Sequence, residues 1–183
     1  MFFKHALCCL GTLALVRAAP SLQKPMSLSQ TDATPVAGLP GDAMELLPGM
    51  YMIFNANPAA QHVHLRAFTS DTPLYVSHPL DTYGQWMVEP QEDSLSGKEY
   101  RITNVGLNAS IYVSEDNLFT GNINDSSDRF SIEPAEGGAF LIRSSGPSSK
   151  VWTLADPAVP KATVQLRALK TCDSELWRFV PTG

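Results

Sequence analysis

From about Leu46 to Gly183 the chain is built of short runs of β-branched and aromatic residues, broken every few positions by Asn, Gly, Asp, Ser or Pro. Hardly any stretch holds helical spacing for three turns, so the pattern predicts an all-β fold. In His64-Leu65-Arg66-Ala67-Phe68 and again in Thr163-Val164-Gln165-Leu166-Arg167-Ala168-Leu169, apolar side chains fall at every second position. That alternation predicts strands with one buried and one polar face.

A longer-range pattern overlies the strands. An aromatic-x-Ile opening occurs three times, at Tyr51-Met52-Ile53, Tyr100-Arg101-Ile102 and Phe140-Leu141-Ile142. Each opening has a matching close ending in proline, at Trp86 to Pro90, Phe130 to Pro134 and Trp177 to Pro181. Between them, Leu74-Tyr75-Val76-Ser77, Ile111-Tyr112-Val113-Ser114 and Val151-Trp152-Thr153-Leu154 are matched as a central strand. His64–Phe68 and Thr163–Leu169 are matched as a further strand, with the shorter Leu107-Asn108-Ala109 in the middle copy. Self-similarity of this kind signals a repeat architecture. Three units closing into a barrel would bury all six framing aromatics and leave no long sheet edge exposed.

The segment ahead of this region is different. Lys4 and His5 give a short basic start, Ala6 to Val16 is apolar, and Val16-Arg17-Ala18 offers small residues at the positions a signal peptidase reads. The reading is a signal peptide over 1–18, a flexible arm rich in Ser, Pro, Thr and Gln over 19–45, and a folded domain over 46–183. A secreted, soluble, monomeric protein is expected, because the apolar run is too short to span a bilayer comfortably. The formal charge of −5 becomes more negative once Lys4 and Arg17 leave with the signal peptide, and no basic run exists. Nucleic acid and membrane are therefore not expected partners. Cys8 and Cys9 leave too, so Cys172 has no internal partner and is expected to be a small buried residue.

Catalytic chemistry finds little footing. The chain has no Gly-x-Ser-x-Gly elbow, no His-Glu-x-x-His zinc helix and no phosphate-cradling glycine loop. His62 and His64 would share a strand face, but two imidazoles alone make a weak metal site. Glu92-Asp93 and Glu115-Asp116 sit in turn-like contexts without apolar neighbours to raise a pKa. No enzyme activity, metal or cofactor is expected. Asn108-Ala109-Ser110 and Asn124-Asp125-Ser126 are sequons, which makes Asn108 and Asn124 glycosylation candidates in a secreted chain.

Leu47-Pro48-Gly49-Met50-Tyr51-Met52-Ile53, Pro73-Leu74-Tyr75-Val76-Ser77, Trp86-Met87-Val88-Glu89, Tyr100 to Gly106 and Leu176-Trp177-Arg178-Phe179 together resemble a β-trefoil, and within it the fungal serine protease inhibitors called mycospins. The resemblance covers roughly residues 46 to 183. It implies three pseudo-repeats of four strands, a barrel capped by hairpins. It also implies a substrate-like inhibitory loop between the second and third strands of the first repeat, held rigid so that little entropy is lost on binding. That connection is Phe68, Thr69, Ser70, Asp71, Thr72 and Pro73, with Arg66 just upstream. Arg66 would suit a trypsin-like pocket and Phe68 a chymotrypsin-like one, subtilisin-like enzymes being the third target class. Arg66 reads equally as a solvated strand residue alternating with Leu65 and Ala67.

A ricin-B-type lectin shares the same threefold architecture and makes carbohydrate the alternative partner. Such lectins usually carry Gln-x-Trp near the end of each repeat, whereas the corresponding triplets here are Gly84-Gln85-Trp86, Asp128-Arg129-Phe130 and Glu175-Leu176-Trp177. Asp81 with Tyr83, or Asp116 with Phe119, would supply the carboxylate and aromatic of a shallow sugar site. Because all copies share the framing residues, function is expected where the copies differ, at Phe68–Pro73 first and Asp156–Lys161 second.

Overall fold

The computed structural model describes residues 45–70, 72–92, 99–122, 127–145 and 150–183. The expected signal peptide over 1–18 and the arm, as far as position 44, lie outside them. The strands are β1 (Gly49–Asn55), β2 (His64–Arg66), β3 (Tyr75–Ser77), β4 (Gln85–Gln91), β5 (Glu99–Asn104), β6 (Ala109–Ser114), β7 (Asn117–Asn122), β8 (Phe130–Pro134), β9 (Phe140–Ser144), β10 (Val151–Leu154), β11 (Val164–Arg167) and β12 (Leu176–Pro181).

Antiparallel pairing runs β1–β4, β4–β5, β5–β8, β8–β9, β9–β12 and back from β12 to β1, which closes a six-stranded barrel. The remaining strands form three hairpins, β2–β3, β6–β7 and β10–β11. Backbone bonds join these hairpins to one another: Leu74 N to Leu118 O at 2.7 Å, Val164 N to Leu74 O at 2.9 Å and Leu166 N to Asp116 O at 2.8 Å. Three four-stranded repeats, β1–β4, β5–β8 and β9–β12, thus make a barrel with a triangular cap. The fold is a β-trefoil.

Tyr51, Tyr100 and Phe140 open the repeats and Trp86, Phe130 and Trp177 close them, and all six are buried. Closure makes this possible, because inward positions on a small barrel meet only one another. Leu65, Ile111 and Trp152 reach the core from the hairpins, and Phe130, Trp152 and Trp177 meet edge to face at 5.1 and 6.1 Å between centroids. Each large apolar side chain so buried is worth about 1.5–3 kcal/mol.

Two strand-level expectations need correction. The central-strand match mixes two kinds of strand, because Tyr75–Ser77 is the third strand of its repeat while Ile111–Ser114 and Val151–Leu154 lie on second strands. The second strand of the first repeat is His64–Arg66, whose Leu65 occupies the place of Ile111 and Trp152. All of these are short apolar strands, and local pattern carries no label for order within the repeat. Nor does β2 have a polar face: His64 and Arg66 are buried along with Leu65. The Ser77–Gly84 segment covers its other side. On β11 the alternation holds, with Val164 and Leu166 buried and Gln165 and Arg167 half-buried.

One frame position is polar and buried. Asn55 and Asn104 each stand two positions beyond the Ile of an opening strand and are buried. Asn55 Nδ2 donates to Ser174 O and Leu176 O, and Asn104 Nδ2 donates to Tyr83 O at 2.9 Å. Each amide therefore ties the start of one repeat to the turn preceding the close of the repeat before it. The Tyr-x-Ile-x-Asn spacing was the available signal, and the third copy hid it by placing Ser144 there.

Candidate functional site

The inhibitory loop is expected on the first-repeat connection between β2 and β3, all of which except Asp71 is described. Arg66 does not project from it. Its guanidinium is 4% exposed, donates to both oxygens of Asp81 at 2.6 and 2.7 Å, and also donates to the Pro79 carbonyl. A buried cation held by a carboxylate and a carbonyl is a clamp on the β3–β4 connection, and releasing it to fill a protease pocket would strand Asp81 and reopen the cap. Arg66 is therefore corrected from a pocket-filling candidate, and equally from a solvated strand residue, to a structural one.

Phe68, Thr69, Ser70 and Thr72 of the connection are exposed. Phe68 is 59% exposed and leans on Tyr83, ring centroids 5.7 Å apart. Thr69 and Thr72 share a hydroxyl contact at 3.2 Å, Ser70 is exposed and Pro73 half-buried. Asp71 lies outside the described residues. The corresponding connection in the second repeat is the two-residue turn Glu115-Asp116, with φ of 49° and 65°, and in the third it runs through Asp156–Lys161.

Both carboxylates proposed for a lectin-like site are engaged. Asp81 holds Arg66 and also accepts from Tyr83 N at 3.0 Å, leaving little capacity for a sugar hydroxyl. Asp116 pairs with Lys150 at 2.5 Å, but this pair is exposed and open to exchange with a ligand. Phe119 is not beside Asp116; it stacks on Tyr112 with centroids 5.6 Å apart.

A groove of about 500 Å3 lies between the second and third repeats and is lined by Val113, Asp116, Ser127, Asp128, Arg129, Ser144, Ser145 and Leu166. Asp128 accepts from Val113 N at 2.5 Å, and Ser145 Oγ donates to Arg129 O at 2.7 Å. A second groove of about 310 Å3 sits on the barrel wall against Met50, Met87 and Arg101, and Asn108 lines its rim. Asn108 is exposed at φ 49°, whereas Ser110 of its sequon is buried and shares a hydroxyl bond with Thr103 at 3.0 Å. Asn124 lies outside the described residues.

The two histidines differ from the expectation of a shared face. His62 lies in an exposed turn, and its carbonyl is 3.1 Å from His78 Nδ1. His64 is fully buried, neither ring nitrogen has a well-formed hydrogen bond among the described residues, and its ring fills the space a side chain at position 84 would occupy. Burial, reinforced by the charge of Arg66, pushes the His64 pKa below its usual 6.5; the Pro79 carbonyl and Asp81 pull the other way. Among the described residues no three His, Cys, Asp or Glu side chains gather as a metal site, and no helix is long and apolar enough to cross a membrane. Cys172 is exposed, with its Sγ 3.1 Å from Ser174 Oγ, because it begins the turn ahead of β12. That corrects the expectation of a buried thiol.

A rigid closed barrel with shallow polar grooves on its outside defines a β-trefoil domain. No protein-family model matches the chain, and no curated protein does. Solved structures do match it. The Rhizoctonia solani agglutinin shares 14% identity over 76% of this chain and 99% of its own, with a TM-score of 0.63. The Macrolepiota procera ricin B-like lectin, solved in complex with lactose, shares 15% identity over 76% of this chain and all of its own (100%), with a TM-score of 0.59. A mosquitocidal holotoxin shares 15% identity with a TM-score of 0.65, and the match spans 18% of that chain. At these identities the likeness is one of fold.

Proposed function

We propose that this protein is a secreted carbohydrate-binding β-trefoil that acts by recognition and carries no catalysis of its own. The observation that carries the reading is the groove between the second and third repeats, where Asp116, Asp128, Arg129 and three serines converge on the outside of a closed barrel. Carboxylates, hydroxyls and a guanidinium at one shallow site suit the alternating donors and acceptors of a sugar ring, and a rigid barrel holds them in place without an ordering cost. Support also comes from the lectins whose whole chains superpose on this fold, one of them holding lactose. The absence of Gln-x-Trp does not weigh against the reading, because those positions build the frame and Gly84, Asp128 and Glu175 fill them by other means. The test is a glycan array probed with the purified full chain. Saturable binding abolished by free sugar is expected, and no binding to any glycan would overturn the reading.

One observation favours serine protease inhibition as a second reading: the exposed Phe68 on the β2–β3 connection of the first repeat, with Pro73 stiffening its exit. With Arg66 clamped, that reading narrows to chymotrypsin- or subtilisin-like enzymes. Micromolar inhibition that disappears in Phe68→Ala would establish it.

A further inference from the structure

The outer face of the sheet joining β6, β7 and β11 carries a continuous strip that plays no part in the barrel or in the grooves described above. Tyr112 and Phe119 are cross-strand partners whose rings stack at an interplanar angle of 23°. Gly121 makes room for the first ring, since a Cβ there would sit 2.9 Å from Tyr112 Cδ1. Two residues before Phe119 on the same strand face, Asn117 Oδ1 accepts from Gln165 Nε2 at 3.1 Å across the β7–β11 boundary. Gln165 Oε1 in turn accepts from Arg167 Nε at 3.2 Å and Nη2 at 2.7 Å. The Asn117 amide is fixed from behind by donating to Glu115 O at 3.3 Å.

Each link aims the next, and the chain ends on a cation. With Gln165 occupying Nε and one Nη2 hydrogen, the outward fork of the half-buried Arg167 has donors to spare, and it makes no ion pair with a carboxylate among the described residues. Arg66, Arg129, Arg143 and Lys150, by contrast, are paired with Asp81, Glu99, Glu133 and Asp116. A guanidinium with its plane set by an amide ladder is suited to a carboxylate, which it grips with two parallel bonds. Half-exposed aromatic rings at the other end of the same strip offer a stacking surface for a sugar ring.

We propose that this strip binds an acidic saccharide, with Arg167 taking the carboxylate of a uronic or other acidic sugar, Asn117 and Gln165 taking ring hydroxyls, and Tyr112 and Phe119 supporting the adjacent residue. The proposal rests on the carbohydrate reading and goes beyond it by adding a second surface, next to the groove, and a ligand class for it. Charge complementarity commits the strip to an anionic occupant although the protein as a whole is acidic. Glu115 at the hairpin tip is the neighbouring charge that opposes it.

The experiment is calorimetric titration of the full chain with a galacturonic acid trisaccharide and with the neutral galactose trisaccharide of the same linkage, on wild type, Arg167→Gln, Phe119→Ala and Glu115→Gln, each checked for an unchanged melting temperature. Arg167→Gln should weaken the acidic ligand about tenfold, the loss of one charge-assisted pair, and leave the neutral one unmoved. Phe119→Ala should weaken both, and Glu115→Gln should tighten the acidic ligand about twofold as a screened surface repulsion is removed. If Phe119→Ala proves less stable, Phe119→Leu keeps the packing and removes only the ring. Preference for the neutral ligand, or acidic binding indifferent to Arg167→Gln, would overturn the proposal and leave the carbohydrate reading standing. No binding of either ligand, together with an empty glycan array, would overturn both.

Discussion

The first and third repeats end on the same tryptophan and support it in opposite ways. Trp86 Nε1 donates to Leu65 O and Trp177 Nε1 to Trp152 O, each at 3.0 Å, so the closing strand is pinned to its own hairpin by the same bond. Two residues earlier the chemistry diverges. In the third repeat Glu175 is buried and accepts from Lys170 N at 2.9 Å and Cys172 N at 3.2 Å. In the first, Gly84 has no side chain, the neutral ring of His64 fills the space, and the neighbouring connection is held by Arg66 and Asp81 instead. One frame position is filled by a carboxylate satisfying backbone donors in one copy and by an imidazole packing without a well-formed hydrogen bond in the other. Threefold symmetry constrains the backbone and leaves the supporting chemistry free.

Removing the carboxylate in the first repeat should have the largest effect on stability. Asp81→Ala leaves the Arg66 guanidinium buried without its counter-charge and should cost about 2–4 kcal/mol in a chemical denaturation curve, the upper part of the usual range being lost because Asp81 itself is half-exposed. Removing the exposed Asp116 from Lys150 should cost under about 1 kcal/mol. Equal losses at the two sites would mean that Arg66 is solvated after all.

Glu175→Ala, which orphans two backbone donors in the third repeat, should cost about 1–3 kcal/mol. Gly84→Ala should cost about 1–3 kcal/mol by overpacking, since the new Cβ would lie 2.2 Å from His64 Nε2. Adding His64→Ala should return part of that loss, because the clash disappears with the ring. A double variant whose cost is the simple sum of the two would show that Gly84 and His64 are independent.

The smallest effect is the pH dependence. His64 is held neutral in the folded chain with its pKa lowered, so its contribution is fully present above the unfolded value near 6.5 and is lost as pH falls from there through the lower folded value. Denaturation midpoints of wild type should therefore fall more steeply below about pH 6.5 than those of His64→Phe, which has nothing to titrate. Parallel curves would remove His64 from the acid response.

The frame was legible because it repeats. Tyr51, Tyr100, Phe140, Trp86, Phe130 and Trp177 recur in order, and only burial in a closed barrel explains them together. Strand identity inside each repeat was not legible, because β2, β6 and β10 are three to six residues long and the third strands look much the same. Arg66 misled for a physical reason: alternation assigns it a face but cannot say that Pro79 and Asp81 fold over that face. Cys172 misled because burial of a lone cysteine is only a tendency, and here a turn exposes it. Of the Tyr112–Phe119 and Asn117–Gln165–Arg167 strip only Phe119 stood out in the sequence, and with Asp116 as its partner; the rest was not legible, since Gln165 and Arg167 come from a different repeat and join it only through the β7–β11 boundary.

If the proposed carbohydrate reading holds, the shared frame carries no function and the sugar is recognised on outer surfaces peculiar to one part of the barrel. Amide chemical shifts of the full chain, followed while titrating a glycan selected on the array, test it directly. Shifts are expected to be confined to the β6, β7 and β11 face and the adjoining groove between the second and third repeats. Shifts at Phe68–Pro73 alone, at equivalent positions of all three repeats, or nowhere would contradict it.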